Sequence, residues 1–409
     1  VTVFLNLKEA YEFAVKVLAE SIKFKTVLGE EYEEIVDFYR EVLSSYGVSV
    51  AVHRVADDYV AKNLPASYNP HKPRYILIAR IGHGERVLQF NGHYDVVPPG
   101  DGWKKPPFEP TIENGRLYGR GSSDMKGGIA AIVATLAFLA QTREPEIIVE
   151  AALVPDEEIG GVTGTGYLVD KLESRPNWVV IAEPSGVDNI LTGHRGNVWC
   201  IVNVHGRQAH GSTPWLGDNA FEKMLVYAQK LIEKYRKMLE GRVSKYKYEY
   251  PEAARPTISP GGLLVSPGAV NVVPGRVGFS IDRRLVVEER APDVMQEISK
   301  LVEEVSRETG IEATVDFIEY SNPAYTPEDS QLVSALKESV KGVIGYYPSA
   351  TICAGGLDLK YYAAHGIQAV AYGPGTAGVA HKPDEYIELR DLEIALKVYV
   401  NLVKALSSE

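Results

Sequence analysis

Apolar positions recur with helical spacing over residues 7–46. Leu7, Tyr11, Ala14, Val17 and Leu18 form one stripe, and Ile35, Phe38, Tyr39, Val42 and Leu43 form a second. The spacing predicts two amphipathic helices. Residues 48–52, 75–81 and 87–90 have the short, β-branched texture of strands. From 128 to 141 the chain is apolar nearly all round, which predicts a helix buried between layers and too short to cross a membrane. Residues 147–154 and 178–182 read as two more buried strands. The first stops at Pro155 and is followed by Asp156-Glu157-Glu158, and the second by Glu183-Pro184. Strands alternating with helices, each strand ending in acidic or histidine-bearing turns, predict an α/β fold. Its mostly parallel mixed sheet has helices on both faces and ligand groups along one edge.

After Gly196 the texture changes. An alternating run over 198–204 precedes a long amphipathic helix over 219–239, Gly- and Pro-rich loops, a strand at 277–281, a helix at 294–309 and a strand at 313–318. The first texture then resumes, with helices expected at 328–342, 357–364 and 390–406 and strands at 349–353 and 367–372. The expected organisation is a discontinuous catalytic domain, residues 1–196 and 319–409, interrupted by a compact α+β insertion over 197–318. The run Lys245-Tyr246-Lys247-Tyr248-Glu249-Tyr250 reads as a partly solvated loop or edge strand.

Composition narrows the function classes. The net charge of −11 argues against nucleic acid or an anionic membrane as partner, since both call for clustered positive charge. The two cysteines, Cys200 and Cys353, have no metal-ligand spacing and build no disulfide scaffold. With no leader pattern at residues 1–9 and no long apolar run, the expectation is a soluble, cytoplasmic protein.

The chemistry concentrates in residues 91–128. Strand 87–90 delivers Asn91-Gly92-His93-Tyr94-Asp95 to a sheet edge, and about thirty residues later a glycine-rich turn ends in Asp124 and opens the buried helix. Histidine and carboxylates on turns suggest a metal site, because catalytic zinc takes imidazole nitrogens and carboxylate oxygens and keeps a position for water.

These residues also carry a resemblance. His93-Tyr94-Asp95-Val96-Val97-Pro98, Gly102-Trp103, Pro107-Phe108, the segment 118–128, Pro155-Asp156-Glu157-Glu158, Glu183-Pro184, His210, Asn271-Val272-Val273-Pro274 and His381 resemble the signature of the di-zinc acylase and carboxypeptidase family. That family includes acetylornithine deacetylase, succinyl-diaminopimelate desuccinylase, aminoacylase-1 and the glutamate-releasing carboxypeptidases. The resemblance implies a zinc-exopeptidase-like catalytic domain with a lid and dimerisation domain at 197–318, and two Zn2+ per chain, with Co2+ or Mn2+ as substitutes. By the same resemblance Asp124 bridges the two ions, His93 and Glu183 complete the first, and Glu158 and His381 the second.

Other roles follow from the same source. Asp95 accepts the second N–H of the His93 ring, Glu157 is the general base, and the Asp124–Met125 peptide bond is cis. His210 stabilises the oxyanion from the partner subunit of a homodimer. Arg284 grips the substrate carboxylate, a task suited to a guanidinium. Asn271, Gly355 and Gly356 are further substrate-binding candidates, with Arg283 as neighbour to Arg284 and Arg195 as a weaker choice. One departure stands out: where relatives often carry Gly-Gly-Thr followed by Asp and Arg, this chain reads Gly355-Gly356-Leu357-Asp358-Leu359-Lys360. That leaves the metal chemistry intact and bears on the choice of substrate.

The expected activity is metal-dependent hydrolysis of an N-acyl amino acid. The rivals are a dipeptidase or carboxypeptidase of the same fold acting on short peptides, and a non-catalytic metal-binding or scaffold relative.

Overall fold

The computed structural model describes residues 6–142, 144–266, 268–375 and 378–408. They form two compact units. The first runs to Thr192 and takes up the chain again over Thr326–Thr351 and from Leu357 onward, and the second is Gly193–Tyr325 with Ile352–Gly356.

The first unit is built on a mixed sheet in the order Ser49–Arg54, Tyr75–Ile81, Ile148–Val154, Val87–His93, Trp178–Ile181, Gln368–Ala371, Asn189–His194. The four strands from Ile148–Val154 to Gln368–Ala371 run parallel, and the flanking pairs are antiparallel. The parallel strands are buried almost throughout, as sheets covered on both faces require. Leu7–Ile22, Tyr32–Ser45, Lys126–Gln141 and Leu389–Ser407 pack on one side, and Asp57–Asn63, Thr165–Asp170 and Leu359–Ala363 on the other. Gly128, in the first turn of Lys126–Gln141, is needed for close approach: a Cβ there would lie 2.2 Å from the Ala182 carbonyl oxygen.

Parallel register is what gathers the chemistry. His93 pairs with Val154 and Asn91 with Ile181, so three neighbouring strands finish at one edge. The residues that follow each of them emerge side by side.

The second unit holds a four-stranded antiparallel sheet in the order Thr257–Val265, Arg276–Leu285, Gly196–His205, Ala313–Ser321. Val198, Cys200, Val202 and Val204 alternate inward against Tyr227 and Leu231 of Ala220–Leu239 and Ile298 and Leu301 of Ala291–Thr309. Thr257–Val265 falls where the sequence suggests only loops. It is an edge strand whose register shifts between Pro260 and Leu264, around two glycines, and proline is tolerated at such an edge. The tyrosine-rich run at 245–250 is tied down more firmly than a solvated loop. The Tyr246 ring lies 4.4 Å from that of Tyr325, tilted by 46°, and buried Tyr248 bridges to Ile352. Among the described residues no helix is long and apolar enough to cross a membrane.

Candidate metal centre

Strand ends and loops of the first unit build the centre. His93 closes Val87–His93, Glu157 and Glu158 lie in a single turn after Ile148–Val154, and Glu183 follows Trp178–Ile181. Asp124 stands just before Lys126–Gln141, and His381 precedes Tyr386–Glu388.

Asp124 faces two imidazoles at once. Its Oδ1 is 3.2 Å from His93 Nε2 and its Oδ2 is 3.3 Å from His381 Nε2. Glu183 Oε1 is 3.7 Å from His93 Nε2, and Glu158 Oε1 is 3.0 Å from His381 Nε2. Ligand atoms of His93, Asp124 and Glu158 lie within 4.8 Å of one another, as do those of His93, Glu157 and Glu183. The donor set is the imidazole and carboxylate mixture that catalytic zinc takes. Glu183 Oε1 is moreover buried without a hydrogen-bond partner. An orphaned buried oxygen is costly unless something satisfies it, so the residues fit a cation.

The electrostatics point the same way. Burial raises the carboxyl pKa of Glu157, with Glu183 adding to the shift, and burial together with Asp124 raises that of Glu183. Burial and Asp124 push Glu158 up to about 7. Asp124 is also penalised by burial, but hydrogen bonds to His381 and His93 win and hold it below the usual range. His381 is pushed up to about 10 by Asp124 and Glu158. Burial alone would lower His93, yet Asp124 and Asp95 raise it well above its ordinary value. Crowded acids that cannot all ionise comfortably are what a bound cation relieves.

Surrounding groups fix the donors. His93 Nδ1 is 3.0 Å from the Asp95 carbonyl oxygen and 3.4 Å from its carboxylate. The Asp95 carboxylate accepts the backbone N–H groups of Glu157 and Glu158, each at 3.2 Å, so it grips the acidic turn as well as sitting beside the ring. Glu385 Oε1 accepts the N–H groups of Ser123 and Asp124 at 2.9 and 3.0 Å, and its other oxygen takes Arg120 Nη1 at 2.6 Å. The sequence reading gives Arg120 and Glu385 no role. The only local signal is that Glu385 follows His381 closely. The Asp124–Met125 peptide bond is cis.

The remaining singled-out residues lie in the second unit. A short ladder pairs Ala209–His210 with Val272–Val273 and brings His210 next to Asn271, whose carbonyl accepts the Gly211 N–H at 2.7 Å. His210 Nδ1 accepts the Ser212 N–H at 3.1 Å, which puts the ring proton on Nε2 as a donor. Arg284 Nε is 2.9 Å from Asp282 Oδ1, and its guanidinium lies over the Trp199 ring. Arg283 is fully buried against Glu289 and Tyr235. Arg195 is buried too, donating to the carbonyls of Arg255, Arg284 and Leu285 and to Thr257 Oγ1. That commits it to clasping strands together. Nothing stands within 4 Å of where a Gly356 Cβ would be, and Gly355 meets only Cys353 Sγ at 3.8 Å.

The profile of the Peptidase family M20/M25/M40 matches residues 89–405. The chain belongs to that family. It is 31% identical over 344 residues to a succinyl-diaminopimelate desuccinylase of Alkalilimnicola ehrlichii, with 81% of this chain and 86% of the relative covered. An uncharacterised metallohydrolase of Methanocaldococcus jannaschii is 26% identical, covering 96% of this chain and 99% of that one. Among solved structures, an M20 family metallo-carboxypeptidase of Sulfolobus solfataricus superposes with a TM-score of 0.74 at 22% identity, covering 97% of this chain and 99% of that one. A Bacillus subtilis protein described as a dinuclear metal-binding peptidase of the M20 family gives 0.69 at 16% identity, covering 98% and 99%. The chain is therefore an M20 enzyme, a metal-dependent hydrolase of amide bonds. Its described residues before 89 lie outside the matched stretch.

Proposed function

We propose that this M20 enzyme hydrolyses the amide bond of an N-acyl amino acid, in the manner of the acetylornithine deacetylases and succinyl-diaminopimelate desuccinylases, with two zinc ions per chain. The observation that carries the reading is the division of one carboxylate, Asp124, between two imidazoles. In this reading His93, Asp124 and Glu183 hold one ion, and Asp124, Glu158 and His381 the other. Two such ions lower the pKa of a water and polarise an acyl carbonyl.

Glu157 is the base. It takes the proton of the attacking water and delivers it to the departing amine, a task favoured by a carboxyl whose pKa burial raises. Asp95 keeps His93 in the tautomer that offers Nε2 and steadies the turn carrying Glu157. His210, with its proton on Nε2, is the oxyanion donor, contributed by the partner in a homodimer. Exposed Trp215, Leu216, Phe221, Leu225 and Val226 supply apolar surface for that association. The Arg284 guanidinium receives the substrate carboxylate, and Asn271 and the open backbone of Gly355 and Gly356 are further substrate-binding groups. Cys200 and Cys353 form no disulfide, which suits a cytosolic setting.

The test is a substrate panel of N-acetylornithine, N-succinyl-diaminopimelate and dipeptides, assayed with the zinc-reconstituted protein. Turnover of an acylated amino acid supports the reading. Turnover of peptides alone would replace it with a dipeptidase or carboxypeptidase. No turnover, with less than about one zinc bound per chain, would leave a scaffold.

A further inference from the structure

The acidic turn that carries Glu157 and Glu158 is held from behind by a segment outside the family match. Asp156 opens the turn with φ 63° and ψ 22°, in the left-handed region that non-glycine residues avoid. Its carboxylate is pinned on both oxygens. Oδ1 accepts the Tyr32 hydroxyl at 3.0 Å, and Oδ2 accepts Arg74 Nε at 2.8 Å and the Thr163 hydroxyl at 2.5 Å. The Arg74–Asp156 pair is completely enclosed, at 0% and 1% side-chain exposure.

Arg74 is itself fixed. Its terminal nitrogens donate to the carbonyls of Tyr68, Asn69 and Lys72 at 2.8 to 3.0 Å, and Tyr32 lies beneath the guanidinium and edge-on to Tyr94. The stretch just before Tyr32 also reaches the other two motif loops. Thr26 donates to the Tyr94 carbonyl at 2.6 Å, and Lys126 Nζ donates to the carbonyls of Ser21 and Phe24 at 3.0 and 2.8 Å.

We propose that Arg74 and Tyr32 are positioning residues for the reaction: by anchoring the Asp156 carboxylate they keep its backbone left-handed and so set the direction in which Glu157 and Glu158 leave the turn. The inference rests on the roles assigned to those two glutamates above. Its physical content is a grip from two sides. Asp95 takes the N–H groups of Glu157 and Glu158, while Asp156 is tethered into the Tyr32–Arg74 cradle. Release of the tether lets Asp156 relax to right-handed backbone, which turns the peptide plane ahead of Glu157 and draws both N–H groups off Asp95.

Loss of a buried ion pair that only stabilised the fold would lower the melting temperature and nothing else. The test therefore compares Tyr32→Phe, which removes one donor without a cavity, and Arg74→Lys, which keeps the charge and loses the fork, with Leu396→Ala. That last substitution lies in the buried face of the final helix, which contributes no residue to the centre or to the cradle. Each full-length protein is assayed well below its melting temperature for kcat, KM and zinc affinity by competition with a chromogenic chelator.

The expected result for both cradle variants is a kcat about tenfold lower and one of the two zinc equivalents about tenfold weaker, at unchanged KM, the size seen when a partner behind a metal ligand is lost. Leu396→Ala shows neither change. Parent-like kcat and zinc affinity in the cradle variants, or equal losses in Leu396→Ala, would overturn the proposal. A parent protein that binds two zincs but turns over no amide would defeat the functional reading alone, since the zinc measurement still decides the positioning.

Discussion

In the proposed mechanism the sequence neighbours Glu157 and Glu158 divide the work between them, and single substitutions separate their roles. Glu157→Gln keeps shape and burial but cannot take a proton. It is expected to retain two zincs and to lose about 10²- to 10⁴-fold in kcat, read by steady-state kinetics beside metal analysis. Glu158 acts through ionisation. With its carboxyl pushed up to about 7 and His381 up to about 10 in the metal-free protein, a cation must displace a proton from each. Metal affinity should rise with pH across this window and fall below about pH 7, with proton release on zinc addition in a weakly buffered solution. Affinity independent of pH between 6 and 9, to order of magnitude, would contradict that assignment. His93, Glu157, Glu158 and Glu183 were legible in the sequence because each stands at or just after an apolar strand. Asp124 was marked by the glycine-rich turn that opens the buried helix, whereas His381 lies on a loop with no such mark and came from the family resemblance. Arg74, Asp156, Arg120 and Glu385 were not legible as partners. Their pairings span 82 and 265 positions, and no local period encodes a contact of that range.

At the level of elements, the buried helix Lys126–Gln141 is tightly constrained where it meets the strand ends. Its Gly128 has no room for a methyl group against the Ala182 carbonyl. Gly128→Ala is expected to cost about 1 to 3 kcal/mol through overpacking, seen as a lower urea midpoint, even though alanine is the better helix former. A neutral or stabilising effect would mean that the contact is looser than its geometry indicates. Long periodic helices and the buried strands were readable from pattern to within a few residues. The failures were elements whose pattern is interrupted or too short to have one. Pro260, Gly261 and Gly262 hide the edge strand Thr257–Val265, and Asp57–Asn63 is only two turns long.

For the molecule as a whole, the crowd of acids makes metal content a stability variable. Stripping with chelator should lower the melting temperature and zinc should restore it, each occupied site adding about 2.7 kcal/mol of stability at a hundredfold excess over its dissociation constant. Calorimetry with and without zinc measures this directly. Association makes a second prediction. If His210 serves the partner's centre, then His210→Ala and Glu157→Gln chains, each inactive alone, should regain about a quarter of the parent rate when mixed and allowed to exchange, because half the molecules are mixed pairs with one intact centre. No recovery would place His210 in its own chain's chemistry.

The first unit is interrupted and later resumed, and Glu158 meets its imidazole 223 positions downstream. A chain leaving the ribosome therefore exposes His93 and its acids long before His381 exists. Half a cluster of donors must wait, uncompensated, through the synthesis of an entire intervening unit. On the proposed reading, hydrolytic competence arrives only once the last stretch of the first unit has been made and has folded back onto its beginning.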